Sequence, residues 1–360
     1  MVFAVLAALH LLRTFFRGES KRAIDFLLPA FFCFLFPFLV YLGWRLSYFG
    51  FLLPNTYYAK TGGTVYQWYR GFRYSLYFAF HYLLPFVPVA VVALWKKAEG
   101  NEQARGGPRD RKVESEDIRF CSLILCGTLS LAFTAAIIFV GGDYMAMYRF
   151  FVPIIPLLYL IIAVPYHSLF MSMNSPRQNA VVAALVVLGI LGTFLHSTPL
   201  EAALFAKPAF THGQFRGVRT EEWHSRRLSL IGKFFDRYKT SERESLATEA
   251  IGAISYYANM RVYDLTGLQD TYIAHKQRED MGKGFPGHEK YDLAYVLIHK
   301  RPTYIMLNRE LTPGKQAFPK IAPDIDELLR RDYESVSVWL EDSANNESGY
   351  FSFLQQKSDT

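Results

Sequence analysis

Few residues in this chain can form covalent cross-links. Its 360 residues include only three cysteines, Cys33, Cys121 and Cys126, and all three lie in or beside apolar segments. The part of the chain after residue 196 has no cysteine, so it folds without disulfide bonds. A disulfide-stabilised scaffold is therefore excluded for that part.

Charged residues are scarce in the first half of the chain. Residues 1–196 carry 17 Lys and Arg against 9 Asp and Glu, a net charge of +8, whereas residues 197–360 carry 22 against 23, a net charge of −1. A basic excess confined to an apolar region indicates membrane topology, so we expect no nucleic-acid partner. The balanced second half has the composition of a soluble domain.

Long uncharged runs fill the first half instead. Five of them approach the roughly 20 residues that a helix needs to cross a bilayer: 26–44, 74–95, 120–142, 150–164 and 180–200. These runs predict a transmembrane helical region over residues 1–196, followed by an exported soluble domain over residues 197–360.

Basic residues predict the orientation of these spans. The stretches 13–22 and 96–119 are the most basic, so we expect both in the cytoplasm. By alternation, residues 45–73, residues 143–149 and the chain after about residue 200 lie outside.

The first apolar segment is too short for a span. Residues 1–12 precede Arg13 and cover about 18 Å of a hydrocarbon core roughly 30 Å thick. We interpret them as the end of a partial first helix, which predicts that the chain is an N-terminally truncated piece of a longer membrane protein. A half-inserted N-terminal helix is the alternative.

The predicted outer loop at residues 44–73 contains four basic residues and no acidic residue. Contacts with lipid headgroups explain Arg70 and Arg73. Lys60 lies in the middle of the loop, before Gly62 and Gly63, whose backbone amides can face a ligand. A lysine, the Asn55 amide and hydroxyl groups beside a glycine turn suit a phosphate at the membrane surface.

A single acid, Asp143, stands in the stretch VGGDYMAMYRFFVPIIP between two apolar runs. An acid at a membrane edge is costly unless it is paired or functional. A structural interpretation is a salt bridge to Arg149, or solvation in a short loop. A functional interpretation is an acid that orients a sugar hydroxyl, holds a divalent metal ion, or steadies Lys60 or Arg149.

Two of these stretches together resemble a known family. LLPNTYYAKTGG, followed about eighty residues later by GGDYMAMYRFFVP, resembles the GT-C class of polyprenyl-phosphate-sugar-dependent glycosyltransferases. The terminal arabinofuranosyltransferase group of that class is the most similar. AIGAISYYANMRVYDLTGLQDTYIAH and GHEKYDLAYVLIHKRPTYIML resemble the exported domain of such proteins, so the resemblance covers about residues 40–310.

The resemblance implies a multi-pass α-helical membrane protein, with a GT-C-like helical bundle and a C-terminal exported α/β domain. It implies transfer of a sugar from a polyprenyl-phosphate donor to a cell-envelope glycan or lipid acceptor. The reaction would take place on the outer face of the bacterial inner (plasma) membrane, in contact with membrane lipid.

The resemblance also suggests roles for single residues. Asp143 would be an auxiliary catalytic residue, and the donor-binding residues would be Asn55, Tyr57, Tyr58, Lys60 and Arg149. The family's general base, an aspartate in the first exported loop, has no counterpart here, because no acid precedes Glu19. Its absence supports the prediction of an N-terminal truncation.

The exported domain reads as alternating strands and helices. Strands are predicted at the start of SLATEAIGAISYYAN, in RVYDLTGL and in TYIMLN, and a terminal hairpin is predicted from ESVSVWLE and GYFSFLQQK. Asp264, Asp270 and His288 are the candidates for acceptor binding, and ordinary loop and cap roles are the alternative. Because no metal-ligand spacing is present, we assign no cofactor and leave a divalent metal ion open.

A non-enzymatic interpretation fits the same sequence. A membrane-anchored exported domain that binds cell-wall glycan or a partner protein needs no upstream general base.

Overall fold

The structure, a computed structural model, describes residues 28–29, 31–87, 112–171, 180, 183–188, 190–191, 217–316 and 321–357. The chain divides into two compact units. Unit 1 comprises Met1–Pro54, Tyr77–Ala136 and Phe151–Leu195, and unit 2 comprises Asn55–Leu76, Ile137–Phe150 and His196–Thr360. The predicted boundary between residues 196 and 197 stays a prediction.

The described part of the first half is helical. Its α-helices are α1 (Phe36–Phe49), α2 (Asn55–Lys60), α3 (Val65–Tyr82), α4 (Lys112–Val140) and α5 (Ile155–Met171). A π-helix precedes α1 at Phe31–Leu35, and 3₁₀-helices lie at Leu84–Phe86 and Ala146–Ile154. Helix α1 ends where Gly50 adopts a left-handed conformation and its amide donates to the Leu46 carbonyl.

The predicted multi-pass helical membrane bundle is wrong. Among the described residues, two helices are long and apolar enough to cross a membrane, Phe31–Phe49 and Ser122–Val140. The apolar helix at Tyr148–Val164 is shorter than a span. The GT-C-like bundle of five full spans plus a partial first helix is therefore not the fold of this chain.

Two of the other predicted spans differ from the structure for identifiable reasons, and the third is mostly outside the described residues. The predicted span 74–95 begins inside α3, an amphipathic helix that ends at Tyr82, and residues 88–95 lie outside the described residues. Pro153 interrupts the predicted span 150–164, where a 3₁₀-helix precedes α5. Most of the predicted span 180–200, and all of residues 1–27, lie outside the described residues.

Unit 1 packs partly through aromatic rings. Phe78 and Phe151 stack with their ring centroids 3.8 Å apart, and Phe86 meets Tyr159 edge to face at 5.8 Å. The edge-to-face contact of Phe86 and Tyr159 is a favoured geometry for aromatic pairs.

Unit 2 is built on a mixed five-stranded sheet. Its strands are β1 (Ser245–Thr248), β2 (Arg261–Asp264), β3 (Tyr304–Met306), β4 (Tyr333–Asp342) and β5 (Glu347–Gln356). The strand order is β2-β1-β3-β5-β4. Strand β1 pairs in parallel with β2 and β3, whereas β5 pairs antiparallel with β3 and β4.

Helices cover both faces of this sheet. They are α6 (Gly217–Tyr238), α7 (Ala253–Ala258), α8 (Thr271–His275), α9 (Leu293–His299) and α10 (Pro323–Asp332). Leu246 packs with residues of α6 and α7, whereas the next residue, Ala247, packs with residues of α8, α9 and α10. Successive strand residues point to opposite faces, so two apolar cores result. The strands and the terminal hairpin predicted for this region are confirmed.

Candidate functional site

A glycine turn positions Lys60 at the end of α2. The amides of Gly62 and Gly63 donate to the Gln67 side-chain oxygen at 2.9 and 3.1 Å. The Gln67 amide nitrogen donates to the carbonyls of Lys60 and Val140, each at 2.8 Å. Gln67 is fully buried, so this one side chain fixes the turn after Lys60 and joins it to the end of α4.

The Lys60 ammonium is half-buried and lies over an aromatic ring. Its Nζ is 5.6 Å from the ring centroid of Phe150, a cation–π distance. A Cβ at Gly287 would come within 3.2 Å of Lys60 Cε, so glycine leaves room for the lysine stem. No hydrogen bond or ion pair joins Lys60 Nζ to any residue in the described ranges. The ammonium is therefore available to an anionic ligand.

Burial also lowers the pKa of Lys60. Desolvation disfavours the ammonium most, the Asp143 carboxylate opposes that effect, and the Arg149 guanidinium adds to it. An anion bound at Lys60 would restore the charged form.

Asp143 is buried and pairs with Arg149. It follows Gly141 and Gly142, whose φ values are +89° and +73°, and a Cβ on either would clash with Gln67 or Tyr74. The Asp143 carboxylate is 3% exposed and accepts hydrogen bonds from Nε and Nη2 of Arg149. The salt bridge that was one interpretation of Asp143 is therefore present. The side chain of Arg149 is 44% exposed, and its guanidinium lies 5.6 Å from the same Phe150 ring.

Tyr144 connects this pair to His288. The Tyr144 ring lies 4.7 Å from Phe285 and 5.1 Å from His288, between ring centroids. Burial lowers the pKa of His288, and Glu249, Arg309 and Lys60 all contribute electrostatically to it. His288 is therefore favoured in its neutral form, next to a group of charges from distant parts of the chain.

A buried ion pair anchors the loop that carries Gly287 and His288. Arg70 Nη1 lies 2.9 Å from Glu289 Oε2, and Arg70 Nε donates to the Gly141 carbonyl at 2.9 Å. Arg70 is 2% exposed, so the interpretation of this residue as a lipid-headgroup contact is wrong. Its role is to hold α3, the Gly141 turn and the 282–289 loop together.

Asn55 and the tyrosines of α2 have structural contacts. Asn55 Nδ2 donates to the Gly267 carbonyl at 2.9 Å, and Tyr58 stacks on His275 with centroids 4.3 Å apart. Tyr57 meets Tyr58 edge to face. Lys290 donates to the carbonyls of Tyr58 and Ala274 at 2.8 and 2.7 Å, which fixes α2 against α8.

Asp264 and Asp270 occupy a turn and a helix cap. Asp264 accepts hydrogen bonds from the Thr266 amide and hydroxyl and from the Gln269 amide. Asp270 is the N-cap of α8 and accepts from the Ile273 amide at 3.0 Å. Of the three predicted acceptor-binding residues, only His288 lies beside Tyr144 and within electrostatic range of Lys60.

A cleft that the sequence did not reveal lies at the ends of two parallel strands. Glu249 and Ala250 follow β1, and residues 306–310 end and follow β3; together they line a cavity of about 260 Å³. The sequence does show polar residues directly after two predicted strands, and such residues share one edge of the sheet when the strands are parallel. The pairing of β1 with β3 could not be read from the sequence.

The described residues contain no group of three or more His, Cys, Asp or Glu side chains able to hold a metal ion. The charged groups of the site are the cations Lys60 and Arg149 and the Asp143 carboxylate, with the Phe150 ring beside both cations.

One known family matches part of the chain. The sequence model of a domain of unknown function (DUF8728) matches residues 215–354, which include strands β1 to β4, most of β5 and helices α6 to α10. The chain matches no curated protein and no solved structure.

Proposed function

We propose that this chain binds a polyprenyl-phosphate-linked sugar and serves its transfer to a cell-envelope glycan or lipid acceptor, on the outer face of the bacterial inner membrane. The observation that carries the proposal is the Lys60 ammonium, which is half-buried over Phe150 and makes no hydrogen bond or ion pair in the described ranges. A phosphate would supply the missing charge.

Arg149 supports the same ligand. Asp143 engages Nε and Nη2 of its guanidinium, which leaves Nη1 for a phosphate oxygen. The buried Asp143 carboxylate then acts as a positioning residue that orients Arg149. Two cations near a departing phosphate stabilise the negative charge that develops during glycosyl transfer.

The chain's connectivity supports a lipid-linked donor. The segment with Lys60 follows the apolar helix that ends at Phe49, and Asp143 follows the apolar helix that ends at Val140. If these helices enter a bilayer, both segments emerge near its surface, where a lipid phosphate lies.

The test uses farnesyl methyl phosphate, a short isoprenoid phosphodiester, with the full chain in lipid nanodiscs. We expect saturable binding, and we expect Lys60→Gln to weaken it about ten- to a hundredfold, the effect of losing one hydrogen bond to a charged group. Lys233→Gln is the matched control, because Lys233 also lies over an aromatic ring, 4.9 Å from the Tyr257 centroid. Equal binding by wild type and Lys60→Gln would contradict the proposal.

A non-catalytic role is the second candidate. Arg149 already engages Asp143, so this acid is not free to act as a general base. A chain that binds glycan without catalysis would bind the isoprenoid phosphodiester weakly or not at all. The deciding measurement is transfer of labelled sugar by membranes that contain the full chain. Transfer by wild type that is lost in Lys60→Gln would favour the enzyme over the non-catalytic role.

A further inference from the structure

The sheet of unit 2 has a point where its connections change direction. From β1 the chain passes through α7 to β2 on one side, and from β2 it passes through α8 and α9 to β3 on the other side. Residues of α7 belong to one apolar core, whereas residues of α8 and α9 belong to the other, so the two connections cover opposite faces. A crevice therefore opens between the carboxyl ends of β1 and β3, and in open α/β sheets ligands bind at this point.

The cavity of about 260 Å³ lies at that place. Its lining contains residues that directly follow β1 and residues that end and follow β3. The volume lies just below the usual range for small-molecule sites, so the cavity suits no more than one small ring.

Two half-buried charged side chains line the cavity, and neither has a partner there. Glu249 and Arg309 make no hydrogen bond or ion pair with any residue that the structure describes. Asn308, by contrast, donates to Gln316 and accepts from the Glu310 amide. A half-buried carboxylate and guanidinium that face one crevice without pairing are expected to have a ligand between them.

We propose that this cleft, between Glu249 and Arg309, binds an uncharged sugar ring. A ligand with net charge would be attracted by one of the two groups and repelled by the other. A hydroxyl group suits both, because it donates to a carboxylate and accepts from a guanidinium. Most of the exposed lining is polar, which suits a ligand with several hydroxyl groups, and Ala250 and Leu307 add a smaller apolar part beside the C–H face of such a ring.

His288 lies within electrostatic range of both this cleft and the Lys60 site. Its pKa responds to Glu249 and Arg309 on one side and to Lys60 on the other. In the proposed transfer reaction the cleft would hold the acceptor sugar. Only this acceptor role rests on the proposed function; sugar binding by the cleft stands without it.

The experiment measures sugar binding by the full chain in lipid nanodiscs, using saturation-transfer NMR. The probes are four uncharged methyl glycosides: an arabinoside, a galactoside, a glucoside and a mannoside. We expect saturable binding of at least one, with a Kd about tenfold higher or more in Glu249→Gln and in Arg309→Gln. The exposed residues Glu327 and Arg243 give matched controls, Glu327→Gln and Arg243→Gln, which should bind like wild type.

No saturable binding of any probe by the folded wild type would overturn the proposal, as would unchanged binding in both cleft variants. A second measurement covers variants that fail to fold. A diazirine derivative of the best probe, photolysed on wild type, should label peptides containing residues 249–250 or 306–310. Labelling confined to other peptides would overturn the proposal.

The two proposals fail separately. If wild type binds a glycoside but not farnesyl methyl phosphate, the lipid-phosphate function is wrong and the sugar cleft stands. If wild type binds farnesyl methyl phosphate but no glycoside, the proposed sugar cleft is wrong and the lipid-phosphate function stands.

Discussion

The environment of Lys60 disfavours the charged form of its side chain. Burial lowers its pKa, and the nearby Arg149 adds to that effect, while Asp143 only partly compensates. A half-buried lysine without an ion pair is costly, because desolvation of an ammonium costs free energy. The proposed phosphate would offset that cost, and the lowered pKa gives the proposal a measurable consequence.

We predict that phosphodiester binding weakens as pH rises above neutrality. Below the lowered pKa, Lys60 is an ammonium and binds the anion; as pH rises through that pKa, the charge and the binding are lost. Farnesyl methyl phosphate keeps a single negative charge over this range, so the change reports the protein. The measurement is the Kd of the full chain between pH 7 and pH 10.

Lys60→Arg is the control for this prediction. An arginine stays protonated over the whole range, so its binding should change little with pH. A wild-type profile as flat as that of Lys60→Arg would show that Lys60 does not titrate in the binding equilibrium. A parallel fall in both proteins would assign the titration to another group.

At the scale of elements, the loop over residues 282–289 is held against α3 by close backbone contact. Gly282 has a φ of +100°, and a Cβ there would lie 2.1 Å from the Gln67 amide nitrogen and 2.4 Å from the Tyr66 carbonyl carbon. No side-chain rearrangement relieves a clash with backbone atoms. The amide of Gly282 also donates to Glu289, so the clash would disturb the partner of Arg70.

We predict that Gly282→Ala destabilises the protein by several kcal/mol, because it combines a left-handed φ with a backbone clash. Thermal unfolding of the full chain in nanodiscs measures the loss. Gly314→Ala is the matched control, since no atom lies within 4 Å of a Cβ at Gly314 and its φ is not left-handed. Equal melting temperatures for the two variants would contradict this account of the loop.

The strands and helices of this chain differ in how far the sequence could predict them. Strands β1, β2 and β3 and the β4–β5 hairpin were predictable, because apolar residues with strand periodicity are bounded by turns and prolines. The roles of Gln67 and Arg70 were not, because their partners lie at Val140, Gly141 and Glu289, far along the chain. Helix α3 resembled the start of a membrane span because its buried face is aromatic.

The candidate site also contains residues that the sequence could identify and residues that it could not. The sequence identified Lys60, Asp143 and Arg149 from charges in unusual surroundings, and the ion pair between Asp143 and Arg149 was one of the stated interpretations. Asp264 and Asp270 were chosen only as polar loop residues, and their hydrogen bonds are those of a turn and a cap. Glu249 and Arg309 were missed, because their proximity depends on the order of strands in the sheet.

At the scale of the whole molecule, hydropathy overstated the number of membrane spans in the part of the chain that the structure describes. Apolar and aromatic runs in this chain serve two purposes, since some form the candidate spans Phe31–Phe49 and Ser122–Val140 and others are buried in protein cores. Tyr74, Tyr77 and Phe78 are examples of the second kind, each less than 5% exposed. Composition alone does not separate these two uses.

The last prediction concerns which side of the membrane carries unit 2. The proposed function requires that this unit face outward, so Ser343→Cys, exposed in the β4–β5 turn, should react with a membrane-impermeant maleimide in intact cells. The background protein has Cys33, Cys121 and Cys126 replaced by alanine. Gly107→Cys, in the basic stretch expected in the cytoplasm, is the control and should react only after permeabilisation.

Each result of that labelling has a definite meaning. Labelling at position 343 alone in intact cells supports a lipid-linked donor on the outer face, where a flipped polyprenyl-phosphate sugar would be available. Labelling at 343 only after permeabilisation would put the Lys60 site on the cytoplasmic side, because Lys60 and the sheet belong to the same compact unit. An outer-face glycosyl transfer would then be wrong, whereas the phosphate chemistry of Lys60 and Arg149 would still need a ligand from the cytoplasm.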